Sequence, residues 1–204
     1  ARWGSVSMLK FALEKLKNKF TPEDFQNFIK LKIRNGNNLL HCAAVHNDVK
    51  ESIEFLVTSI KNEVSSEHVK KMLSELNNFK RLPLHCVVES KNLKIVEFFF
   101  LMYEQSINKK LILQFLSKKN ISGCNLLHRA AAFVKSKEVC EFLWIKIEEL
   151  FEDKEELKKF LLVKGQYERN ALLQSIACQN ENTFCFLFEQ VYCKIFNIKE
   201  FAYE

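Results

Sequence analysis

Apolar and polar residues follow helical spacing along most of the chain, and one such pattern returns four times. Each copy begins with a residue of a type that commonly caps a helix, namely Thr21, Ser65, Asn108 or Asp153. Apolar residues follow at the fourth, seventh and eighth positions, which lie on one face of a helix. They are Phe25, Phe28 and Ile29; Val69, Met72 and Leu73; Ile112, Phe115 and Leu116; and Leu157, Phe160 and Leu161. The pattern predicts four short amphipathic helices that begin near these caps.

A second repeated pattern is a seven-residue phrase that carries a histidine at its fourth position in three of four copies. The copies are residues 38–44 (NLLHCAA), 82–88 (LPLHCVV), 125–131 (NLLHRAA) and 171–177 (ALLQSIA). The fourth position is His41, His85, His128 and then Gln174, so the steps are 44, 43 and 46 residues. Repetition with a period of about 20–50 residues is typical of stacked-repeat proteins.

An apolar run follows each phrase after about ten residues, with the composition of a second, longer helix. The runs are residues 53–56 (IEFL), 95–99 (IVEFF), 139–143 (VCEFL) and 184–187 (FCFL), and the last lacks the glutamate of the others. Each repeat therefore predicts an inner helix with the phrase, an outer helix with the apolar run, and an extra helix after the cap.

These segments resemble the ankyrin repeat over residues 35–196. The second phrase keeps Pro83-Leu84-His85 of the family's Thr-Pro-Leu-His, and residues 120–128 (NISGCNLLH) are similar to its Asp-x-x-Gly-x-Thr-Pro-Leu-His. The apolar runs are similar to the family's Ile-Val-Glu-x-Leu-Leu. An ankyrin repeat is typically about 33 residues long, and the extra helix explains why these repeats are longer. The resemblance implies an all-α, ankyrin-like solenoid with an added short helix in every repeat.

The same register extends to both sides of the four repeats. One period before the first outer helix lie residues 8–16, with the apolar residues Met8, Leu9, Leu13 and Leu16, and one period after Asp153 lie Asn197 and then Phe201. We therefore expect one repeat domain over residues 1–204, cut from a longer array. Its units are about 1–34 (partial), 35–78, 79–121, 122–167 and 168–204.

The seven cysteines and five histidines raise the question of a metal or catalytic site. Cys42 and Cys86 recur because the phrase recurs, and no two cysteines form a C-x-x-C pair. Cys124-x-x-x-His128 has a metal-like spacing, but its histidine belongs to the phrase. We expect no metal, no cofactor and free thiols, which fit a reducing compartment such as cytoplasm or nucleus.

Catalysis within this segment is not expected. Three equivalent histidines favour a structural role, and the resemblance implies that each imidazole bonds the backbone of an adjacent loop, a role that Gln174 can also fill. The phosphate-binding motifs G-x-x-x-x-G-K and G-x-G-x-x-G and the zinc motif H-E-x-x-H are missing from the sequence.

The net charge of +6 permits a basic surface for nucleic acid or acidic protein, but a solvated helical exterior explains it better. Lysines concentrate in and just after the third unit (79–121), as Lys109, Lys110, Lys118, Lys119, Lys135 and Lys137. The excess of Lys, Asn, Phe and Ile is typical of an AT-rich genome, and is consistent with a bacterial effector acting in the host cytosol. No apolar run has the 18 or so residues needed to cross a bilayer.

The resemblance implies a protein-binding module whose loops and inner helices form a concave face for a partner protein. The residues expected on that face are Asn37, His46, Phe79, Lys80, Glu89, Ser90, Ser122, Phe133, Tyr167, Glu168 and Gln179. Three alternatives stay open: the targeting arm of a larger enzyme or secreted toxin, the cytosolic repeats of a membrane channel, and, less favoured, a nucleic-acid-binding solenoid. The sequence specifies neither the partner nor the oligomeric state.

Overall fold

The computed structural model describes residues 6–46, 50–89, 92–133 and 137–197. These ranges contain helices, turns and loops and no strand, so the predicted all-α fold class is confirmed. The sequence predicts one repeat domain of five units. The helices group into two compact units, residues 1–108 and 109–204.

The first compact unit contains seven helices within its described residues. They are α1 (Val6–Lys17), α2 (Pro22–Ile29), α3 (Leu39–His46), α4 (Lys50–Glu63), α5 (Ser66–Ser74), α6 (Pro83–Val88) and α7 (Leu93–Ser106). The phrase helices α3 and α6 pack against each other, and α4 and α7 cover them on one side. Ala43 and Ala44 are buried in this packing, because small side chains let two helices approach closely.

The second compact unit repeats this order within its described residues. Its helices are α8 (Lys109–Ser117), α9 (Leu126–Phe133), α10 (Lys137–Leu150), α11 (Lys154–Leu162), α12 (Ala171–Ala177), α13 (Glu181–Cys185) and α14 (Cys193–Phe196), with a 3₁₀ turn at Gln166–Glu168. A π-helical segment, Phe186–Tyr192, joins α13 to α14. The phrase helices α9 and α12 pack together as α3 and α6 do.

The four extra helices α2, α5, α8 and α11 begin one residue after Thr21, Ser65, Asn108 and Asp153, as the cap pattern predicts. The Thr21 hydroxyl accepts a hydrogen bond from the Asp24 N–H at 3.2 Å. Ser65 accepts from the His68 N–H in the same way, and Asp153 accepts from the Glu155 N–H. These bonds satisfy amide groups that have no partner inside the helix.

The seventh position after each cap is buried less uniformly than its pattern predicts. Met72 and Phe160 are buried, but Phe115 is only half-buried and Phe28 is 41% exposed. Phe28 stacks on Phe20, with ring centroids 5.8 Å apart. The expectation that Phe28 is a core residue is wrong, because a large part of its ring remains in contact with solvent.

One tyrosine in each compact unit ties an outer helix to the end of an extra helix. The Tyr103 hydroxyl donates to the carbonyl of Leu73 at 2.7 Å. The Tyr192 hydroxyl donates to the carbonyl of Leu161 at 2.6 Å. Burial raises the pKa of both phenols, so each stays a neutral donor.

No helix in the described ranges has both the length and the apolar composition needed to span a membrane.

Candidate functional site

Four loops of five residues connect each extra helix to the next phrase helix and share one closing hydrogen bond. The N–H of the first residue donates to the carbonyl of the fifth: Ile33 to Asn37, Asn77 to Arg81, Asn120 to Cys124 and Gly165 to Arg169, over 2.8–3.0 Å. We call them loop 1 (33–37), loop 2 (77–81), loop 3 (120–124) and loop 4 (165–169). Loops 1 and 2 belong to the first compact unit, and loops 3 and 4 to the second.

Buried histidines of the phrase hold loops 2 and 4 in place. The Nε2 atom of His41 donates to the carbonyl of Arg81 at 2.9 Å. The Nε2 atom of His128 donates to the carbonyl of Arg169 at 3.0 Å. At its other nitrogen, each ring faces the side chain of the phrase's first residue: Nδ1 lies 2.7 Å from Asn38 Oδ1 in one compact unit and 2.6 Å from Asn125 Oδ1 in the other.

The asparagine at the first position of the phrase has a fixed orientation in the first compact unit. Asn38 Oδ1 also accepts the backbone N–H of His41 at 3.1 Å, and its amide nitrogen donates to the carbonyl of Met72 at 2.8 Å. Burial lowers the pKa of both His41 and His128, partly opposed by the carbonyl that each Nε2 contacts.

The second and fourth copies of the phrase differ from these two. In the fourth copy Asn170 Oδ1 accepts the backbone N–H of Leu173 at 2.9 Å, as Asn38 and Asn125 accept those of His41 and His128, so Leu173 rather than Gln174 lies at the histidine position. His85 is fully buried, and its Nδ1 accepts the backbone N–H of Leu82 at 3.2 Å. Gln174 is half-buried, and its Nε2 donates to Cys178 Sγ at 3.3 Å within α12. The Gln174 Oε1 atom is buried and has no hydrogen-bond partner among the described residues.

All four loops have a left-handed backbone at their fourth position. Glycine takes it in loop 1 (Gly36, φ 77°) and loop 3 (Gly123, φ 74°), where it costs little. Lys80 takes it in loop 2 with φ 54°, and Glu168 takes it in loop 4 with φ 58°. Tyr167 is left-handed too. A side chain in this conformation costs about 1 kcal/mol or more, so loops 2 and 4 store strain that loops 1 and 3 avoid.

The two strained loops each present an exposed aromatic ring with an arginine folded onto it. Phe79 is 42% exposed and Tyr167 is 74% exposed. The Arg81 guanidinium carbon lies 5.6 Å from the centre of the Phe79 ring, and that of Arg169 lies 5.0 Å from the Tyr167 ring. We call each combination an aromatic–arginine pair. The arginine of each pair is the residue whose carbonyl a buried histidine holds.

The charges next to the two pairs differ. Arg81 Nη1 lies 3.4 Å from a carboxylate oxygen of Glu89, so this arginine is already neutralised. In loop 4 the ion pair is between Lys164 and Glu168, at 3.2 Å. Arg169 makes no side-chain ion pair within the described ranges, and its guanidinium edge is available to an acidic group.

The other residues expected to contact a partner are placed less favourably. Asn37 is buried, and its Oδ1 accepts from Asn77 Nδ2 at 2.7 Å, so its side chain packs loop 1 against loop 2 and the expected contact role is wrong. Ser122 is half-buried in loop 3, while Lys80, Glu168 and Gln179 are exposed. Ser90 and the side chains of His46 and Phe133 lie outside the described residues.

Sequence reasoning found the two aromatic residues but missed their arginines. The signal was present as aromatic-x-Arg at residues 79–81 and 167–169, two repeats apart.

Within the described ranges, no group of three or more His, Cys, Asp or Glu side chains lies close enough to hold a metal ion.

Comparison with known proteins adds a fold likeness only. No protein-family model and no curated protein matches the chain. A chain from the crystal structure of the yeast ribosomal protein Rps3 in complex with its chaperone Yar1 is similar, with a TM-score of 0.55 and 14% sequence identity. The alignment covers 84% of this chain and 95% of that chain. At that identity the likeness shows a shared fold alone.

Proposed function

We propose that this chain is a protein-binding module of the ankyrin-like solenoid type, and that its aromatic–arginine pairs are the anchors for a partner protein. One observation carries the proposal: the same pair recurs two repeats apart, on loops that a buried histidine holds and that accept backbone strain. Strained backbone is retained mainly where function needs it. Tyrosine and arginine are also enriched among residues that dominate binding energy.

The loops suit binding because they are rigid where they meet the fold and exposed at their tips. The histidine bond and the closing backbone bond fix both ends of loops 2 and 4. A partner that packs on Tyr167 or Phe79 therefore loses little free energy in ordering the loop. The solved chain that is similar to this one comes from a complex of a ribosomal protein with its chaperone, which is compatible with a protein partner.

We also propose that the protein works in a reducing compartment, as expected from the sequence. All seven cysteines lie in the described ranges and are reduced thiols. Four of them are buried, where they act as small apolar side chains. We further propose that this segment has no catalytic activity and that an enzyme or channel function of a larger protein would use it for recognition.

The test is affinity capture from a lysate followed by quantitative mass spectrometry, comparing the wild-type chain with a Phe79→Ala/Tyr167→Ala double variant. We expect at least a tenfold loss of one specific partner, with an unchanged melting temperature because both rings are exposed. Leu101→Ala on α7, a residue 49% exposed away from the loops, is the matched control and should retain the partner. Capture that survives the double variant but is lost with Leu101→Ala would place binding on the outer helices and contradict the proposal.

A nucleic-acid-binding solenoid predicts a different result. Phosphate contacts release counterions, so binding falls steeply with salt. A fluorescent single-stranded RNA that binds at 50 mM salt, dissociates at 200 mM and requires Tyr167 would favour that alternative. Among the described residues, each compact unit presents one aromatic–arginine pair rather than a row of stacking surfaces, which favours a protein.

A further inference from the structure

A groove in the second compact unit runs between α10 and the π-helical segment that follows α13. One wall is a stripe of α10 with residues three and four positions apart, which lie on one face of the helix. The other wall comes mainly from the π-helical segment. The residues that carry the argument are Glu141, Trp144 and Glu148 on the first wall, and Phe186, Glu189 and Gln190 on the second. We call this the outer groove. Its volume of about 630 Å³ is within the range of sites that hold ligands.

Trp144 places an unused hydrogen-bond donor in the outer groove. Its side chain is 6% exposed, yet its indole N–H makes no hydrogen bond with any described residue and is not enclosed by protein. A tryptophan N–H usually finds an acceptor when the ring is buried. In the first compact unit Val57 takes the same place, since it is the eighth residue of α4 as Trp144 is of α10. The donor is therefore specific to this groove, and it points to a ligand that supplies an acceptor.

Two of the carboxylates along the groove have no cation beside them. Glu141 pairs with Lys137 at 3.1 Å. Glu148 on one wall and Glu189 on the other are exposed, and neither makes an ion pair within the described ranges. Carboxylates on both sides of a groove attract cations to it, even in a chain with a net charge of +6.

The lysines of the groove do not offset these two charges. Lys194, which lines the second wall, donates to the side-chain oxygen of Gln190 at 2.7 Å, and Lys137 is held by Glu141. In the first compact unit a lysine, Lys61, takes the place in α4 that Glu148 has in α10. The acidic character therefore belongs to this groove and is not a general property of the outer helices.

The π-helical wall departs from the repeat at the residues that line the groove. The other outer helices α4, α7 and α10 are uninterrupted α-helices of 14 residues each. Here the backbone is π-helical over Phe186–Tyr192, a stretch that includes all three groove residues named for this wall. A π turn is rare, because its hydrogen bonds span five residues instead of four, and it occurs frequently at functional sites.

We propose that the outer groove binds a short basic segment of a partner protein, with Lys or Arg side chains on Glu148 and Glu189. A backbone carbonyl of that segment accepts the Trp144 indole N–H. An extended segment fits better than a helical one, because helix carbonyls are already hydrogen-bonded within the helix. From Lys137 to Glu148 helix α10 rises about 16 Å, which matches roughly five extended residues. None of the groove residues belongs to loop 2 or loop 4, so this is a second site, separate from the aromatic–arginine pairs.

The first test selects ligands for the wild-type chain from a phage-displayed library of random peptides of about ten residues. We expect the enriched peptides to share at least two Lys or Arg residues, and one of them is then synthesised with a fluorescent label. Fluorescence anisotropy should show that Glu148→Lys/Glu189→Lys weakens its binding at least about tenfold, because both ion pairs become repulsive.

The matched control is Glu14→Lys/Glu97→Lys, which makes the same change in net charge. Both glutamates are exposed, on α1 and α7, and make no ion pair within the described ranges. This variant should bind the peptide as the wild type does. Phe79→Ala/Tyr167→Ala should also bind it with unchanged affinity, so a failure of this proposal is distinguishable from a failure of the aromatic–arginine proposal.

A second measurement observes Trp144 directly. The chain has two tryptophans, so the ¹⁵N-labelled protein gives two indole N–H signals, and Trp144→Phe identifies the one from Trp144. The peptide should move this signal. Spermine, which has several ammonium groups but no carbonyl, should leave it in place at the same concentration. Trp144→Phe keeps an aromatic ring but removes the donor, and should weaken peptide binding roughly threefold to tenfold.

Four results would overturn the proposal. They are a selection without basic peptides, an equal loss of affinity in the two charge-reversed variants, a Trp144 signal that stays in place at saturating peptide, and a signal that spermine moves as far as the peptide does. The last would indicate a simple cation site. Circular dichroism checks that each variant is folded, and should Trp144→Phe disturb the packing, the signal of the wild type decides.

Discussion

At the residue scale, His41 and His128 show how one side chain can join two repeats. Each lies in a phrase helix, faces an asparagine at the start of its own phrase, and reaches a carbonyl about 40 residues further along the chain. Two opposing effects act on the proton of each ring. Burial disfavours the charged imidazolium, whereas oxygen atoms near both nitrogens favour it. The pKa of each histidine is lowered, because burial is the larger effect.

This balance predicts that the protein loses stability on acidification below about pH 6.5. The unfolded histidines have a pKa near 6.5, so between that value and the lower folded pKa the unfolded state binds more protons. Each histidine then removes up to about 1.4 kcal/mol of unfolding free energy per pH unit. Urea titrations at pH 7.5, 6.5 and 5.5 should show this loss, and a His41→Gln/His128→Gln variant should show a shallower one.

A stability that rises between pH 6.5 and 5.5, and no longer rises in the double glutamine variant, would contradict this sign. It would show that the oxygen contacts at both nitrogens outweigh desolvation. Glu75 and Lys32 act on His41, and Lys119 acts on His128.

At the element scale, the repeat consists of helices of recurring length. In the first compact unit α3, α4 and α5 have 8, 14 and 9 residues, and in the second α9, α10 and α11 have the same lengths. Each extra helix ends two or three residues before a five-residue loop begins. The next phrase begins directly after loops 1 to 3 and one residue after loop 4. The length of the extra helix therefore sets where the exposed loop tip is presented.

The seventh position of the extra helices predicts a graded series of stability losses. Phe160 is 5% exposed and its ring centroid lies 5.3 Å from that of Phe151, so Phe160→Ala should cost roughly 3–5 kcal/mol. Phe115→Ala should cost less, because the ring is half-buried. Phe28→Ala should cost about 1 kcal/mol or less, since much of this ring is in water already. Chemical denaturation of the three variants gives the order, and equal losses at positions 28 and 160 would contradict it.

The elements were largely predictable from the sequence, and their burial was less so. Capping residues and helical spacing are local signals, so the four extra helices and the phrase helices could be located within one or two residues. The exposure of Phe28 and Leu173 could not, because it depends on which helix lies opposite. The left-handed backbone of Tyr167 and Glu168 could not be predicted either. Aromatic and acidic residues rarely adopt this conformation, which glycine adopts in loops 1 and 3. The arginines of loops 2 and 4 have a readable spacing, but their stacking on the rings depends on backbone geometry.

At the scale of the whole molecule, the exposure of the seven cysteine side chains shows where the fold excludes solvent. Cys178 and Cys185 are exposed, Cys42 is half-buried, and Cys86, Cys124, Cys140 and Cys193 are buried. Burial raises the pKa of the Cys140 thiol to about 12 and also raises that of Cys42. The thiolate is the reactive form, so both effects slow alkylation.

Iodoacetamide labelling of the native protein at pH 8 should therefore follow a fixed order. Cys178 and Cys185 should react first, Cys42 more slowly, and the four buried thiols only after unfolding. Peptide mass spectrometry over time resolves each site, and labelling in urea is the control for intrinsic reactivity. Early labelling of Cys140 would contradict the burial described for α10.

The reach of the histidine bonds has a consequence for how the chain folds during synthesis. His41 obtains its carbonyl from Arg81 and His128 obtains its own from Arg169, so each waits for 40 or 41 residues that the ribosome has yet to add. At about 5–20 residues per second, that delay is roughly 2–8 seconds. During it, helices α3 and α9 each carry an imidazole without its acceptor. Within each compact unit, the repeat that contains His41 or His128 is thus completed by the repeat that is synthesised after it.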